Sequence, residues 1–458
     1  MSRQFKKANY EETLKQTIRL EDALPPTHLA RFVVDIVAQL DLHRIYRRYG
    51  KMGGAAIQPE VLLGLLFYGY ATGVFSSRKI ERATYESIPF RYIAGGLHPD
   101  HDTIAHFRKT YLKEIRGLFV QILVLAVMAG VLKLGNISID GSKIHADASK
   151  SHAVSYGRLE ELEKQLRQEM QELLDLGERA DREEVDLPEG MDLEKEVAIR
   201  EGRLEKLEKA RRVLEERAQE RFEEEEAEYE AKLQEREEKA RKSGRKPHGP
   251  EPKPPEAGPR EKDQYNFTDP DSHIMKNSTN TGVDQHYNVQ AAADQRSMLI
   301  VAEGLSNHPN DKREALPTLQ AIPLEVGEVQ AAAMDCGFFS AANIQACEQM
   351  QIDPYIATGR EPHHKDWHTF FQEQPEPPDE HASPKVKMAY KLQTEIGQAI
   401  YRLRKCTIEP VIGIIKEVLG FRQFSLRGLA AAAGEWCLVC LAFNLKRMHV
   451  LYMQQGLF

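Results

Sequence analysis

Ile137-Ser138-Ile139-Asp140-Gly141-Ser142-Lys143 is a short β-branched run that closes in Asp-Gly, the pattern of a strand followed by a turn. Val329-Gln330-Ala331-Ala332-Ala333-Met334-Asp335-Cys336-Gly337 is apolar up to a second Asp. Periodicity alone leaves it between strand and helix; its length and its Gly stop predict a buried strand. Between the two, Tyr287-Asn288-Val289-Gln290 and Met298-Leu299-Ile300-Val301-Ala302 flank Asp294-Gln295-Arg296 as a hairpin. A helix over 341–350 and a strand over 354–357 follow. The order is strand, insertion, hairpin, strand-helix-strand, late helix. That predicts an α+β or α/β mixed sheet with an acid at the end of each of two strands. Asn307-His308-Pro309-Asn310-Asp311 follows the third strand; His308 and Asp311 either line a site there or form a turn.

A third acid stands in Tyr401-Arg402-Leu403-Arg404-Lys405-Cys406-Thr407-Ile408-Glu409-Pro410, which runs on to Lys416. On one continuous helix Tyr401, Lys405, Glu409 and Lys416 share a face. Pro410 disfavours the α region at Glu409, so Glu409 is expected at a kink or a helix start. A lone acid among cations suits a site that holds both a metal ion and a phosphodiester. Asp140, Asp335 and Glu409 together would supply the oxygen ligands that hard cations such as Mg²⁺ prefer. Two such ions serve phosphodiester displacement. Against this stands the bland alternative: the chain has 70 acidic residues, and most acids are solvated.

The residues also carry a resemblance. Tyr68-Gly69-Tyr70-Ala71-Thr72-Gly73, Ser76-Ser77-Arg78-Lys79-Ile80-Glu81, Pro99-Asp100-His101-Asp102-Thr103-Ile104 and Phe107-Arg108 occur in order, then Asp140-Gly141-Ser142-Lys143-Ile144. Thr268-Asp269-Pro270-Asp271-Ser272, Tyr287-Asn288-Val289-Gln290, Asp335-Cys336-Gly337-Phe338-Phe339, Glu409-Pro410 through Lys416, Phe421-Arg422, Leu426-Arg427-Gly428-Leu429 and Leu441-Ala442-Phe443-Asn444-Leu445-Lys446-Arg447 complete the series. The chain resembles bacterial insertion-sequence transposases of the DDE type, in the group with a helical N-terminal domain and a YREK signature. The resemblance covers most of the chain outside 150–262. It implies an RNase H-like catalytic domain, with Asp140, Asp335 and Glu409 as catalytic acids on two Mg²⁺ ions (Mn²⁺ substituting). It also implies cleavage and strand transfer at the ends of an insertion sequence. The expected partners are double-stranded DNA, both terminal inverted repeats and target, and a second copy of the chain in a homodimer on that DNA. Lys416, Tyr401 and either Arg404 or Lys405 are then expected at DNA. In the signature three residues separate Arg from Glu. Here Arg404 leaves four and Lys405 leaves three, so the residue in the Arg role stays open. Asp147 stands where the family often has Asn and is a competing ligand. Two other classes remain open: an RNase H-like DNA nuclease without strand transfer, and a catalytically silent DNA-binding or scaffold protein.

The net charge of −8 argues against a DNA-binding chain until it is divided. Residues 151–240 hold 17 basic and 30 acidic residues; residues 1–136 hold 19 and 12, and residues 401–458 hold 8 and 3. Phosphate affinity follows local positive patches rather than the total. Five cysteines in no obvious bridging pattern suit a reducing, cytoplasmic setting, with nucleoid association when the protein acts. Cys437-x-x-Cys440 reads as core packing. No signal-peptide core is seen at the N-terminus, and the longest uncharged run, 118–132, is short for a membrane span.

Five segments are expected: a helical DNA-binding domain at 1–135, the first catalytic strand at 136–150, a charged coiled-coil insertion at 151–245, a Pro-rich linker at 246–264, and the rest of the catalytic domain at 265–458. In the first, 61–70 is apolar nearly all round and should be buried. Ser76 or Ser77 can cap a helix carrying Arg78, Lys79 and Arg82, and Asp102 can cap one carrying Arg108 and Lys109. Joined through Gly95-Gly96, these could present a DNA-reading helix. In the insertion Leu159, Leu162, Leu166, Met170 and Leu173, then Leu193, Val197, Leu204, Leu207, Leu214 and Ala218, predict an antiparallel helical hairpin broken at Pro188 and Gly190. Arg200 and Arg211 stand in its seam and should weaken it.

Overall fold

The computed structural model describes residues 17, 19–50, 55–183, 191–243, 251–277, 282–359, 376–379 and 381–458. The chain packs as two units. One comprises Met1–Asp147, Asn277–Asn280 and His286–Phe458; the other comprises Ala148–Lys276 and Thr281–Gln285.

The first unit is built on strands β1 (Asn136–His145), β2 (Val283–Asp294), β3 (Ile300–Ser306), β4 (Ala331–Met334) and β5 (Asp353–Ile356). Their lateral order is β3-β2-β1-β4-β5. β2 is antiparallel to β1 and β3, whereas β4 runs parallel to β1 and β5 parallel to β4. This mixed sheet with its crossover helices is the α+β, RNase H-like arrangement. β4 is buried throughout and β1 from Ile137 to Ile139, as expected where a sheet is covered on both faces. β1 does not stop at Asp-Gly. It continues to His145, because pairing with β2 is unbroken from Ile137↔Asp294 to His145↔His286. The pairing that ends is the parallel one, at Ile139↔Met334.

Helices α1 (Leu29–Val37), α2 (Pro59–Ala71), α3 (Ser77–Glu86), α4 (Ile88–Ile93), α5 (His101–Thr110) and α6 (Leu112–Met128) precede β1. α2 is buried on every side, from Leu62 to Ala71. Asp100, not Asp102, caps α5, its carboxylate accepting from the Thr103 N–H at 2.7 Å. The Gly95-Gly96 turn follows the short α4, so it does not join α3 directly to α5. Both glycines have positive φ, 58° and 79°, which suits residues without a Cβ.

In the second unit α7 (Tyr156–Glu183) and α8 (Leu193–Ser243) form the expected hairpin. Leu159 and Leu166 pack against Leu204, Leu207, Ala210 and Leu214. The predicted breakers Pro188 and Gly190 lie outside the described residues. The seam arginines do not stand idle: Arg200 donates to Glu169 at 3.0 Å and Arg211 pairs with Glu163 at 2.5 Å. Each crosses from α8 to α7, so the charges close the seam rather than only weakening it. Short strands Ala153–Ser155 and Gln264–Asn266 pair antiparallel at the base. The described part of the Pro-rich segment is tied down, with Arg221 donating to Asp263 and to the Gly258 carbonyl. The expected resumption of the catalytic part at 265 therefore falls inside this unit.

Returning to the first unit, α9 (Ala315–Gln320), α10 (Ala341–Gln349), α11 (Pro384–Gln393), α12 (Glu395–Cys406), α13 (Ile408–Gly413) and α14 (Leu429–Gln455) complete it. α14 is long and apolar enough to span a membrane, yet 72% of its apolar window is buried within the fold. Asn444 explains part of that. Its amide accepts from Ile300 N–H at 2.8 Å and donates to Ile300 C=O at 2.7 Å, docking α14 on β3. Trp436 donates its indole N–H to Gln290 C=O at 3.0 Å. Cys437 and Cys440 are buried on this helix, and every cysteine is free. α2, α6 and α14 pack together, so the N-terminal helices share one packed body with the sheet.

Candidate active site

Asp140 lies at the point on β1 where the parallel neighbour ends, and Asp335 is the first residue beyond that neighbour. Without a ladder partner on that side, both carboxylates are held locally. Asp140 Oδ1 accepts from the Gly141 N–H at 2.9 Å. Asp335 Oδ1 accepts from the Gly337 N–H at 2.8 Å, capping the turn Cys336–Phe338.

Glu409 reaches the same place through a broken helix. α12 ends at Cys406, Thr407 takes φ −118° and ψ −81°, and α13 starts at Ile408. Glu409 thus stands in the first turn of α13, where a carboxylate meets the positive end of the helix dipole. Thr407 Oγ1 lies 3.0 Å from Ser138 Oγ in the core, which fixes the break against β1. Arg404 joins the acids. Nη1 donates to Asp140 Oδ2 at 3.2 Å and Nη2 to Glu409 Oε1 at 2.7 Å. Its side chain is only 10% exposed. A planar fork can serve two carboxylates at once, which an ammonium cannot do with the same geometry.

The electrostatics follow. Burial raises the Asp140 pKa; Arg404 opposes this, and Asp335 and Glu409 add to it, leaving the group at about 7. Asp335 is raised by burial, with Arg404 lowering it and Asp311 raising it. Burial alone would lower the Arg404 pKa, but Asp140, Tyr401, Glu409 and Asp335 carry it upward. Lys416 faces β1, its Nζ 3.1 Å from Ser142 Oγ, and burial lowers its pKa.

Several expectations change. The single helix face does not exist, because the chain breaks at Thr407 and turns π-helical over Ile414–Val418. Arg404, not Lys405, meets the acids; Lys405 is on the exposed side of α12. Tyr401, expected at DNA, is 8% exposed and packs with Ala331, Ala333, Tyr355 and Ala357 beneath the sheet. Its ring centroid lies 5.7 Å from the Arg404 guanidinium carbon, so it buttresses that residue. Asp147 is no co-ligand. It pairs with Arg427 at 2.9 Å, beyond the end of a strand whose last five residues after Asp140 span about 16 Å. Arg108, expected at DNA, is 6% exposed and donates to the Tyr70 hydroxyl at 2.7 Å. Arg78, Lys79 and Arg82 are exposed along α3, and Lys109 is exposed on α5.

Asn288, Gln290 and Asp311 had no settled role in the sequence. Asp311 Oδ1 accepts from Asn288 Nδ2 at 2.8 Å and from Gln290 Nε2 at 2.7 Å. The signal available in the sequence was a pair of amides two positions apart in an apolar strand, hence on one face.

Hard oxygen donors of this kind suit a divalent cation. As placed, no three His, Cys, Asp or Glu side chains among the described residues stand close enough to hold one ion; Arg404 is inserted between Asp140 and Glu409. Residues 18–110 match the family model described as Transposase domain (DUF772), and residues 264–445 match the one described as Transposase DDE domain. No curated protein and no solved structure matches the chain.

Proposed function

Because the chain belongs to the DDE-type insertion-sequence transposases, a family that acts on DNA and uses divalent metal ions, we propose that it cleaves and rejoins DNA at the ends of an insertion sequence, with Asp140, Asp335 and Glu409 as its catalytic acids. The observation that carries this reading is the convergence of Asp140 and Glu409 on the two arms of Arg404, with Asp335 at the adjoining strand end.

In this reading the three carboxylates would hold two Mg²⁺ ions, for which Mn²⁺ substitutes. When bound, such ions supply the Lewis acidity that activates an attacking oxygen and stabilises the leaving one. The protein's own residues set the conditions. Burial lifts the Asp140 pKa to about 7, so a bound cation would compete with a proton at this carboxylate. With the carboxylates holding cations, the Arg404 fork would be free to grip a phosphate. Lys416 presents a point charge beside Ser142 on the same strand. Arg78, Lys79 and Arg82 on α3, with Lys109 on α5, form a positive surface that contributes salt-dependent affinity for double-stranded DNA. Lys405 contributes to the same electrostatic footprint at the catalytic end. Two DNA ends brought together imply two copies of the chain in the working complex.

Glu409→Gln tests the assignment. The variant should bind DNA carrying the element's end as the wild type does, yet fail to nick it with Mg²⁺. Nicking by that variant contradicts the role given to Glu409.

A further inference from the structure

Asp311 sits among polar groups that hold one of its oxygens and leave the other uncommitted. Oδ1 accepts from both Asn288 and Gln290. Oδ2 carries no hydrogen bond from a described residue. A Cβ at Gly141 would collide with Asp311 Oδ1 and come within 2.6 Å of Gln290 Nε2. Glycine in the middle of β1 is therefore the condition for this carboxylate's approach. A Cβ at Gly337 would lie 3.4 Å from Asp311 Oδ2 and 3.0 Å from Asp335 Oδ1. Asp311 and Asp335 thus flank the same small space, beside an exposed glycine.

A second observation points to a ligand. Asn288 and Gln290 are both 0% exposed, and Asn288 Oδ1 and Gln290 Oε1 are buried without a hydrogen-bond partner. An orphaned buried oxygen costs about 1–3 kcal/mol, and here two lie side by side on one strand. Asp311 and Asp335 offer oxygen donors only, and the two orphaned amide oxygens belong to the residues that hold Asp311. Such donors take Mg²⁺ or Mn²⁺, directly or through bound water.

We propose that Asp311 is a fourth acid of this site and holds a divalent cation jointly with Asp335, the Asn288–Gln290 amide pair fixing its carboxylate. The acids then divide into two pairs: Asp140 with Glu409, now bridged by Arg404, and Asp335 with Asp311. Four carboxylates balance the charge of two divalent ions, which three do not. The inference rests on the proposed transposase reading but assigns a residue which that reading does not need.

The test is a titration of the full chain with Mn²⁺, read by the electron paramagnetic resonance signal of free Mn²⁺, without DNA or turnover. Wild type should bind two ions. Asp311→Asn should weaken one of them at least tenfold, in line with the loss seen when a metal site is disturbed, and keep the metal-free melting temperature. Gly141→Ala retains every acid but pushes Asp311 aside, so it should weaken the same ion, and it decides the matter alone if Asp311→Asn fails to fold. Glu409→Gln should weaken the other ion. Wild-type Mn²⁺ binding in both Asp311→Asn and Gly141→Ala overturns the inference and leaves the transposase reading intact. No Mn²⁺ binding by the wild type overturns both.

Discussion

Arg404 and Glu409 meet across a break in the helix, Nη2 to Oε1 at 2.7 Å. On an unbroken helix two residues five apart point about 140° away from one another. The turn at Thr407 removes that separation, and it is held by a core contact to Ser138. The four residues between Arg404 and Glu409 are therefore accommodated by backbone geometry rather than by a change of cation.

Replacing Arg404 by Lys should keep the charge and lose the bridge. One ammonium cannot reproduce both arms of the fork, so cleavage should fall at least tenfold while the protein stays folded. Arg404→Ala leaves two crowded acids without their cation and should melt lower as well, chiefly through Asp140, whose side chain is only 19% exposed. Melting curves beside a nicking assay separate the two. Equal activity in Arg404→Lys would show that the bridge is unimportant.

Asp140 makes stability depend on pH. Its folded pKa is about 7 against an ordinary value of 3.8, so the fold binds its proton more tightly than the unfolded chain does. That contribution is full below the unfolded pKa and is lost as pH rises through the folded one. In chelator, wild type should lose stability between about pH 4 and pH 7 relative to Asp140→Asn, by at most a few kcal/mol. Paired thermal melts at pH 5 and pH 8 check this. A constant difference between the two proteins would contradict it. Divalent-ion affinity should rise over the same interval, because ion and proton compete.

Arg108 is a stability residue. It donates to the Tyr70 hydroxyl at 2.7 Å, and Glu435, 3.7 Å away, accepts from Tyr70 and from the amides of Ser425 and Leu426. Arg108→Met strands a fully buried Glu435 and should cost roughly 3–5 kcal/mol. Its melting temperature should drop, with no change in the salt dependence of DNA binding at a temperature where it is folded. A changed salt slope with unchanged melting would return Arg108 to the DNA surface.

Arg78, Lys79 and Arg82 behave oppositely in this account. Triple replacement by Ala should leave melting within a degree or two and weaken DNA binding. The log–log salt slope should become shallower by about 0.9 for each phosphate that the variant no longer neutralises. An unchanged slope would remove α3 from the interface.

Much of the frame was legible. The β-branched run at Asp140, the apolar run before Asp335 and the hairpin around Gln295 each carry their own local signal. So do the leucine stripes of α7 and α8. What could not be read depends on partners distant in sequence. The extension of β1 past Asp-Gly is decided by pairing with β2, which overrides the turn preference of Gly141. The inward turn of Arg108 is decided by Glu435, more than three hundred residues away. Asp311 stayed open between a site residue and a turn residue because nothing nearby announces Asn288 and Gln290 as its partners. The choice between Arg404 and Lys405 required the break at Thr407, which Pro410 only hinted at.

The catalytic role of Asp140, Asp335 and Glu409 is tested by Mg²⁺-dependent cleavage of DNA carrying the flanks of this gene, wild type beside Asp335→Asn. The wild type should cut at the ends of the element and the variant should not, with both proteins binding the DNA. Binding without cuts by either protein, or cuts that persist in Asp335→Asn, would contradict it.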